Sequence, residues 1–235
     1  MTPAPHSGPA LEAAGLTKTY GPSTALAGVD FRVDRGESVA IMGASGSGKT
    51  TLLHCLAGIV APDSGSVVLS TAQGRVDVTG LDESGRSRLR REAFGFVFQQ
   101  GLLLPELTAV ENVALPLMLN GIDRRAAEQT AAMWLAALGL SGFEARRIGQ
   151  LSGGQAQRVA IARAQTTGAA VVFADEPTGA LDSATSAEVM DALIRSTTDR
   201  GRSLIVVTHD ETVAARCSRI LRLADGRIVD GVSAR

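Results

Sequence analysis

The feature that most constrains the fold of this chain is a glycine-rich segment between two apolar stretches. Residues 43–50 read GASGSGKT, which fits the pattern G-x-x-x-x-G-K-[ST]. The apolar run at residues 39–42 is typical of a short buried strand, and residues 51–56 predict a helix. A strand, a glycine-rich turn and a helix in this order predict an α/β fold that binds phosphate at the start of the helix.

The residue types of this segment suit phosphate chemistry. Small residues let backbone N–H groups close around a phosphate, Lys49 can reach the β- and γ-phosphates of a nucleotide, and the hydroxyl of Thr50 can hold Mg2+. The candidate nucleotide-binding residues are Gly43, Ser45, Gly46, Gly48, Lys49, Thr50 and Thr51. A flexible loop that matches by chance is the competing interpretation, and the flanking strand and helix argue against it.

A second candidate site lies where the apolar run VVFA, at residues 171–174, meets Asp175 and Glu176. The run is typical of a central parallel strand, and open α/β sheets bind ligands at the carboxyl ends of such strands. Asp175 is therefore a candidate Mg2+ ligand, acting through water, and Glu176 a candidate general base for an attacking water. Taken alone, the same residues also fit a strand that ends at a polar turn.

A third apolar run, residues 204–207, is followed by His209. A histidine at a strand end can donate a hydrogen bond to a γ-phosphate, so His209 is a candidate site residue. A lone histidine more often has a structural role. The other two histidines are interpreted in that way, His6 in the N-terminal segment and His54 on a helix face.

Composition excludes several classes of protein. The formal net charge of −1 gives no electrostatic case for nucleic acid, and the basic run at residues 86–91 is interpreted as a solvated helix face. The two cysteines, Cys55 and Cys217, lie in apolar contexts that predict reduced core residues of a cytosolic protein. No apolar stretch approaches the ~18 residues of a membrane span, so any membrane association should come through a partner.

The segment LSGGQ, at residues 151–155, lies between the glycine-rich segment and the acidic strand. In this order the three motifs resemble those of the nucleotide-binding domain of ATP-binding cassette (ABC) transporters. The resemblance implies an α/β P-loop ATPase with a mainly parallel core sheet, an antiparallel β subdomain and a helical subdomain inserted at about residues 100–163. It covers residues 11–235, while residues 1–10, which lack the apolar core of a signal peptide, are expected to be a disordered leader.

The resemblance also implies roles for residues outside the two strand ends. Tyr20 is expected to stack on adenine, and Gln99 to contact Mg2+ and the attacking water. Asp182 lies in a loop expected to cross a dimer interface. The residues expected to contact the γ-phosphate of ATP held by the other subunit are Ser152, Gly153, Gly154 and Gln155. The implied unit is a head-to-tail homodimer with two ATP molecules between its subunits, which a self-complementary two-fold interface suits.

Residues 102–117 and 174–182 are similar to those of a narrower subfamily, the macrolide-export and lipoprotein-release ATPases. This similarity implies export or extrusion through a permease with few transmembrane helices and a large extracytoplasmic domain, with the ATPase at the cytoplasmic face of the membrane. An importer ATPase remains open, as does a regulatory module that acts on a membrane sensor or on cell-wall machinery. Residues 102–117 also fit a simple apolar helical core. The sequence does not identify the cargo.

Overall fold

The computed structural model describes residues 8–233 of the chain. Six of the strands in this range form the core sheet: β3 (Ser38–Met42), β6 (Phe94–Phe98), β7 (Val171–Asp175), β8 (Ser203–Val207), β9 (Arg219–Ala224) and β10 (Arg227–Ser233). Their order is β10-β9-β3-β8-β7-β6, and every neighbouring pair is parallel except β9 with β10. The predicted mainly parallel core sheet is therefore confirmed.

Four strands form a second, antiparallel sheet in the order β2-β1-β4-β5: β1 (Pro9–Tyr20), β2 (Ser23–Asp34), β4 (Ser64–Thr71) and β5 (Gly74–Asp77). The predicted leader of residues 1–10 is too long, because β1 begins at Pro9, which pairs with Asp34 of β2, and the side chain of Ala10 is buried. The rest of that prediction, residues 1–7, lies outside the described residues.

The helices of the described range are α1 (Lys49–Leu56), α2 (Glu83–Ala93), α3 (Ala109–Leu119), α4 (Arg124–Ala137), α5 (Gly153–Gln165), α6 (Ser183–Thr197) and α7 (Glu211–Ala214). The helices α3, α4 and α5 follow β6 and precede β7, in the stretch where the sequence predicts a helical insertion. Thr108 begins α3 with a capping box, in which its side chain and that of Glu111 satisfy each other's backbone N–H groups. Within residues 8–233, no helix has the length and apolarity needed to cross a bilayer.

Both faces of the core sheet are buried, because successive residues of a strand point to opposite faces. On one face, Ile41 and Phe173 pack with α1 and the antiparallel sheet. On the other face, Met42 and Val172 pack with α3, α4, α5 and α6. This double cover explains why the parallel strands are continuous apolar runs in the sequence.

The cysteines lie in this core, as predicted. Cys55 and Cys217 are both free and buried. Burial raises the pKa of the Cys55 thiol to about 11 and that of Cys217 to about 12. Both side chains therefore remain neutral thiols near neutral pH and act as small apolar residues.

Candidate active site

A cavity of about 640 Å³ lies where β7 and β8 end and α1 begins. Its lining residues are Ala25, Gly43, Ala44, Ser45, Gly46, Gly48, Lys49, Thr50, Thr51, Asp175, Glu176, Val207 and His209. Every residue proposed from the glycine-rich segment is among them, together with the two carboxylates and the histidine at the strand ends. The parallel core sheet brings these three segments together because the carboxyl ends of its strands share one edge.

The glycine-rich segment folds around the ammonium group of Lys49, whose Nζ donates to the carbonyl oxygens of Gly43 and Ala44, each at 2.8 Å. Gly48 precedes α1 with a φ of +104°, and any side chain there would overlap the carbonyl oxygen of Ala25 on β2. Only glycine meets both conditions. The N-terminal N–H groups of α1 and the ammonium of Lys49 thus line one cavity, which is an arrangement that binds phosphate.

Asp175 ends β7 as a half-buried carboxyl group beside this segment. Burial raises its pKa and the neighbouring charge of Glu176 raises it further, while His54, Lys49 and a hydrogen bond from Thr50 act in the opposite direction. A carboxylate and a hydroxyl are the hard oxygen donors that Mg2+ takes alongside phosphate oxygens. The donor set of Thr50 and Asp175 therefore fits Mg2+. His54, interpreted as structural from the sequence, lies close enough to Asp175 to lower the pKa of its carboxyl group.

Glu176 has a left-handed backbone, with a φ of +46°, which is costly for a residue other than glycine and is often found at functional sites. Its carboxylate is held by the segment after β8. Oε1 lies 2.7 Å from Nδ1 of His209 and accepts the His209 backbone N–H at 3.1 Å. Oε2 accepts the hydroxyl of Thr208 at 3.2 Å. Thr208 was not predicted as a site residue. Its position between the apolar run and His209 was the available signal.

Seven of the predicted site residues lie outside the lining of this cavity, and Tyr20 and Gln99 are two of them. Tyr20 ends β1 with half of its surface exposed, and Nζ of Lys18 lies 5.6 Å from the centre of its ring. Gln99 is exposed just after β6, and its side chain lies against the backbone of Gly179, where an added Cβ would be 2.8 Å from Nε2. Within one chain, neither residue meets the phosphate-binding loop.

The segment at residues 152–155 also lies outside the cavity. Ser152 and Gln155 form a capping box at the start of α5: Oγ of Ser152 accepts the N–H of Gln155 at 3.3 Å, and Oε1 of Gln155 accepts the N–H of Ser152 at 2.9 Å. A side chain at Gly153 would press on Leu181, and one at Gly154 would overlap Thr185 of α6. Within one chain, this segment therefore caps and packs α5.

Asp182 has a comparable capping role at the start of α6. Its carboxylate accepts the backbone N–H groups of Ala184 and Thr185 at 3.1 and 3.0 Å, and the hydroxyl of Thr185 at 2.6 Å. The last of these bonds is the main reason why the pKa of Asp182 is lowered. The loop that contains Asp182 does not line the cavity of its own chain.

The sequence profile of the ABC transporter family matches residues 26–179. The chain belongs to this family. It is 45% identical over 232 residues to the lipoprotein-releasing system ATP-binding protein LolD of Bordetella pertussis, an alignment that covers 97% of this chain and 99% of the relative. It is 41% identical to LolD of Hyphomonas neptunium, with 95% and 98% covered. The macrolide export ATP-binding/permease protein MacB of Burkholderia thailandensis is 48% identical over 201 residues, which are 86% of this chain and 30% of MacB.

Solved structures support the same assignment. A dimeric ATP-binding cassette in a post-hydrolysis state, bound to ADP and Pi, superposes with a TM-score of 0.85 at 38% identity, with 96% of this chain and 99% of that chain covered. Membership of the ABC transporter family makes this chain an ATP-binding ATPase subunit of a transporter. The predicted family, fold class and ATPase activity are thereby confirmed.

Proposed function

We propose that this chain hydrolyses ATP with Mg2+ as one half of a head-to-tail homodimer and powers export or extrusion through a membrane permease. This proposal rests on one observation: within a single chain, the residues predicted to bind ATP lie in two separate places. The cavity holds the phosphate-binding loop, the two carboxylates and His209, while the capped start of α5 at Ser152 lies outside it. A second copy that presents its Ser152 segment would complete each site, and the start of α5 offers it a second set of free N–H groups for phosphate.

In this proposal the residues of the cavity divide the work of hydrolysis. Lys49 and the N–H groups of α1 bind the phosphates, and Mg2+, held by Thr50 and Asp175 and contacted by Gln99, would neutralise phosphate charge. The carboxylate of Glu176 accepts a proton from the attacking water as general base. The backbone N–H of His209 holds that carboxylate at Oε1, and the imidazole donates to the γ-phosphate as the bond to the leaving ADP breaks. Tyr20 covers the adenine, and Asp182 lies at the dimer interface.

The permease is proposed to dock in an apolar groove between β6, α2 and α3. The groove has a volume of about 400 Å³, and its apolar lining includes Phe94, Phe96, Phe98, Leu115, Pro116 and Leu119. Leu119 is 62% exposed, which is unusual for a leucine unless a partner covers it. Three arginines, Arg90, Arg91 and Arg163, also line the groove and would favour an amphipathic segment with acidic residues.

The direction and the permease type rest on the relatives. LolD is a component of a lipoprotein-releasing system, and MacB is an export protein that combines an ATP-binding part with a permease. We therefore infer that this chain works at the cytoplasmic face of the membrane with a permease of few transmembrane helices and a large extracytoplasmic domain. The transported substrate would be selected by that permease.

The proposal is tested by co-purification. Tagged Glu176→Gln, which should bind ATP without turning it over, is isolated from membranes of the native host with ATP and Mg2+, and the bound proteins are identified. We expect a permease with a large extracytoplasmic domain. A second tagged variant, Glu176→Gln with Leu119→Glu, should lose the permease and keep nucleotide binding. Recovery of soluble partners or of the chain alone would contradict the transport role and favour a regulatory module.

A further inference from the structure

A second cavity lies away from the nucleotide site, between the helical insertion and the core. It has a volume of about 470 Å³ and is lined from α4, α5, α6 and the turn after α6. It shares no lining residue with the cavity around Lys49. None of the residues assigned to ATP hydrolysis above lines this cavity.

Three arginines line this cavity from three different elements: Arg158 from α5, Arg195 from α6 and Arg200 from the turn after α6. Two carboxylates oppose them. Asp191 pairs with Arg216, which is not part of the lining, so Glu188 is the carboxylate left to oppose the three arginines. Nη1 of Arg158 lies 3.8 Å from Oε2 of Glu188, so that this pair is a loose one. The lining therefore carries an excess of positive charge.

Arg195 and Arg200 are exposed, and one N–H group of Arg158 has no hydrogen-bond partner in the described part of the chain. Nε of Arg158 is buried and has no hydrogen-bond partner within the described residues. Among residues 8–233, neither Arg195 nor Arg200 forms an ion pair. An oxyanion bound in the cavity would accept charge-assisted hydrogen bonds from the N–H groups with which the three guanidiniums line it.

Trp134 of α4 also lines the cavity, and two arginines lie close to its ring. The guanidinium of Arg200 lies 4.4 Å from the centre of the indole ring, and that of Arg202 lies 5.8 Å from it. The ring thus positions Arg200 and offers little surface for stacking a flat ligand. The groups available for binding are the planar guanidiniums, whose paired N–H donors match the spacing of phosphate oxygens.

We propose that this cavity binds a small phosphate-bearing molecule through Arg158, Arg195 and Arg200. Because Arg158 lies on α5 of the helical insertion, and Arg195 and Arg200 lie on α6 and the turn after it, a bound phosphate would join the insertion to the core. The site is independent of the proposed transport function, so failure of one does not imply failure of the other.

The chain offers a direct probe, because Trp134 is its one tryptophan. Its fluorescence is measured in a Lys49→Ala background, which removes the main phosphate ligand of the nucleotide cavity, while pyrophosphate is added. We expect a saturable change in emission that sodium chloride at the same ionic strength does not produce. Arg195→Gln, at an exposed position, should weaken pyrophosphate binding about tenfold, and Arg158→Gln should do the same.

Arg125→Gln is the matched control, because this exposed arginine on α4 lies outside the cavity and should bind pyrophosphate as the background protein does. An emission change that chloride reproduces, or that both cavity variants leave intact, would overturn the proposal. A response to citrate as tight as the response to pyrophosphate would overturn the assignment to phosphate. Thermal unfolding of each variant checks that it is folded.

Discussion

Oε1 of Glu176 accepts the backbone N–H of His209 and lies 2.7 Å from Nδ1 of the same residue. The two residues follow the ends of neighbouring parallel strands, β7 and β8, and the backbone N–H of Glu176 in turn donates to the carbonyl of Val207 at 2.9 Å. The side chain of Glu176 is largely covered and that of His209 is exposed at 73%. The carboxylate of Glu176 is therefore fixed by contacts with the protein, while the imidazole of His209 is open to solvent.

Replacing Glu176 with Gln should lower ATP turnover about 10²- to 10⁴-fold and leave ATP affinity nearly unchanged. The amide keeps the shape of the side chain but accepts a proton far less readily than a carboxylate. Phosphate release measures turnover, and binding of a fluorescent ATP analogue measures affinity. Glu106→Gln removes an exposed carboxylate outside the cavity and should behave like the wild type. Turnover at the wild-type rate in Glu176→Gln would refute the assignment of the base.

Replacing His209 with Ala should reduce turnover about 10- to 100-fold, because a hydrogen bond to a charged group is removed while the His209 N–H and the Thr208 hydroxyl still hold Glu176. His209→Asn is the informative partner variant, because its amide nitrogen can take the place of Nδ1. If the histidine acts only by orienting Glu176, Asn should recover most of the lost rate. If its donation to the γ-phosphate accounts for the effect, as proposed above, Asn should remain as slow as Ala.

Replacing Gly48 with Ala should destabilise the protein by about 2 to 4 kcal/mol, since the new methyl group combines a left-handed backbone with overlap on Ala25. Gly121→Ala isolates the backbone term: it has a φ of +85°, with no atom within 4 Å of the added Cβ. The difference between the two variants in chemical denaturation therefore reports the contact of the loop with β2. Equal destabilisation of the two variants would show that the loop and β2 shift apart at no cost in stability.

Replacing Asp175 with Asn should raise thermal stability near neutral pH while abolishing most ATP turnover. Burial raises the folded-state pKa of Asp175 above its ordinary value of 3.8, so the ionised carboxylate destabilises the fold at pH values above the folded-state pKa. Below the unfolded-state pKa both states are protonated and this penalty is absent. The stability gain of Asn should therefore be larger at about pH 7 than at about pH 4. A gain that does not change with pH would contradict the role of burial.

Several elements follow from local patterns in the sequence. The run VVFA predicts β7, which spans Val171–Asp175, and helix α6 has the bounds expected from its pattern at residues 183–197. Other boundaries differ. The N-terminal part predicts several short strands, but β1 and β2 are each 12 residues long. Register shifts along their pairing interrupt the alternation of polar and apolar residues, so the sequence pattern looks broken where the strand continues.

The candidate site shows the same division. The phosphate-binding loop was predictable because its residues are contiguous, and their small size and helix start define an anion site locally. The contacts of Glu176 with Thr208 and His209 span about thirty residues of sequence and depend on β7 and β8 being neighbours. The pattern S-x-x-Q at residues 152–155 is typical of a helix cap, but it does not indicate that these residues lie outside the cavity.

The sequence by itself therefore determined the family, the chemistry of the phosphate loop and the identity of the charged residues, because these depend on residue types at short spacing. Only the tertiary structure decided which distant segments meet. The order of strands in the core sheet brings Asp175, Glu176 and His209 to Lys49, and the packing of α5 on α6 keeps Ser152 out of the same cavity. Strand order and helix packing depend on the burial of apolar surface over the whole chain, which no local pattern encodes.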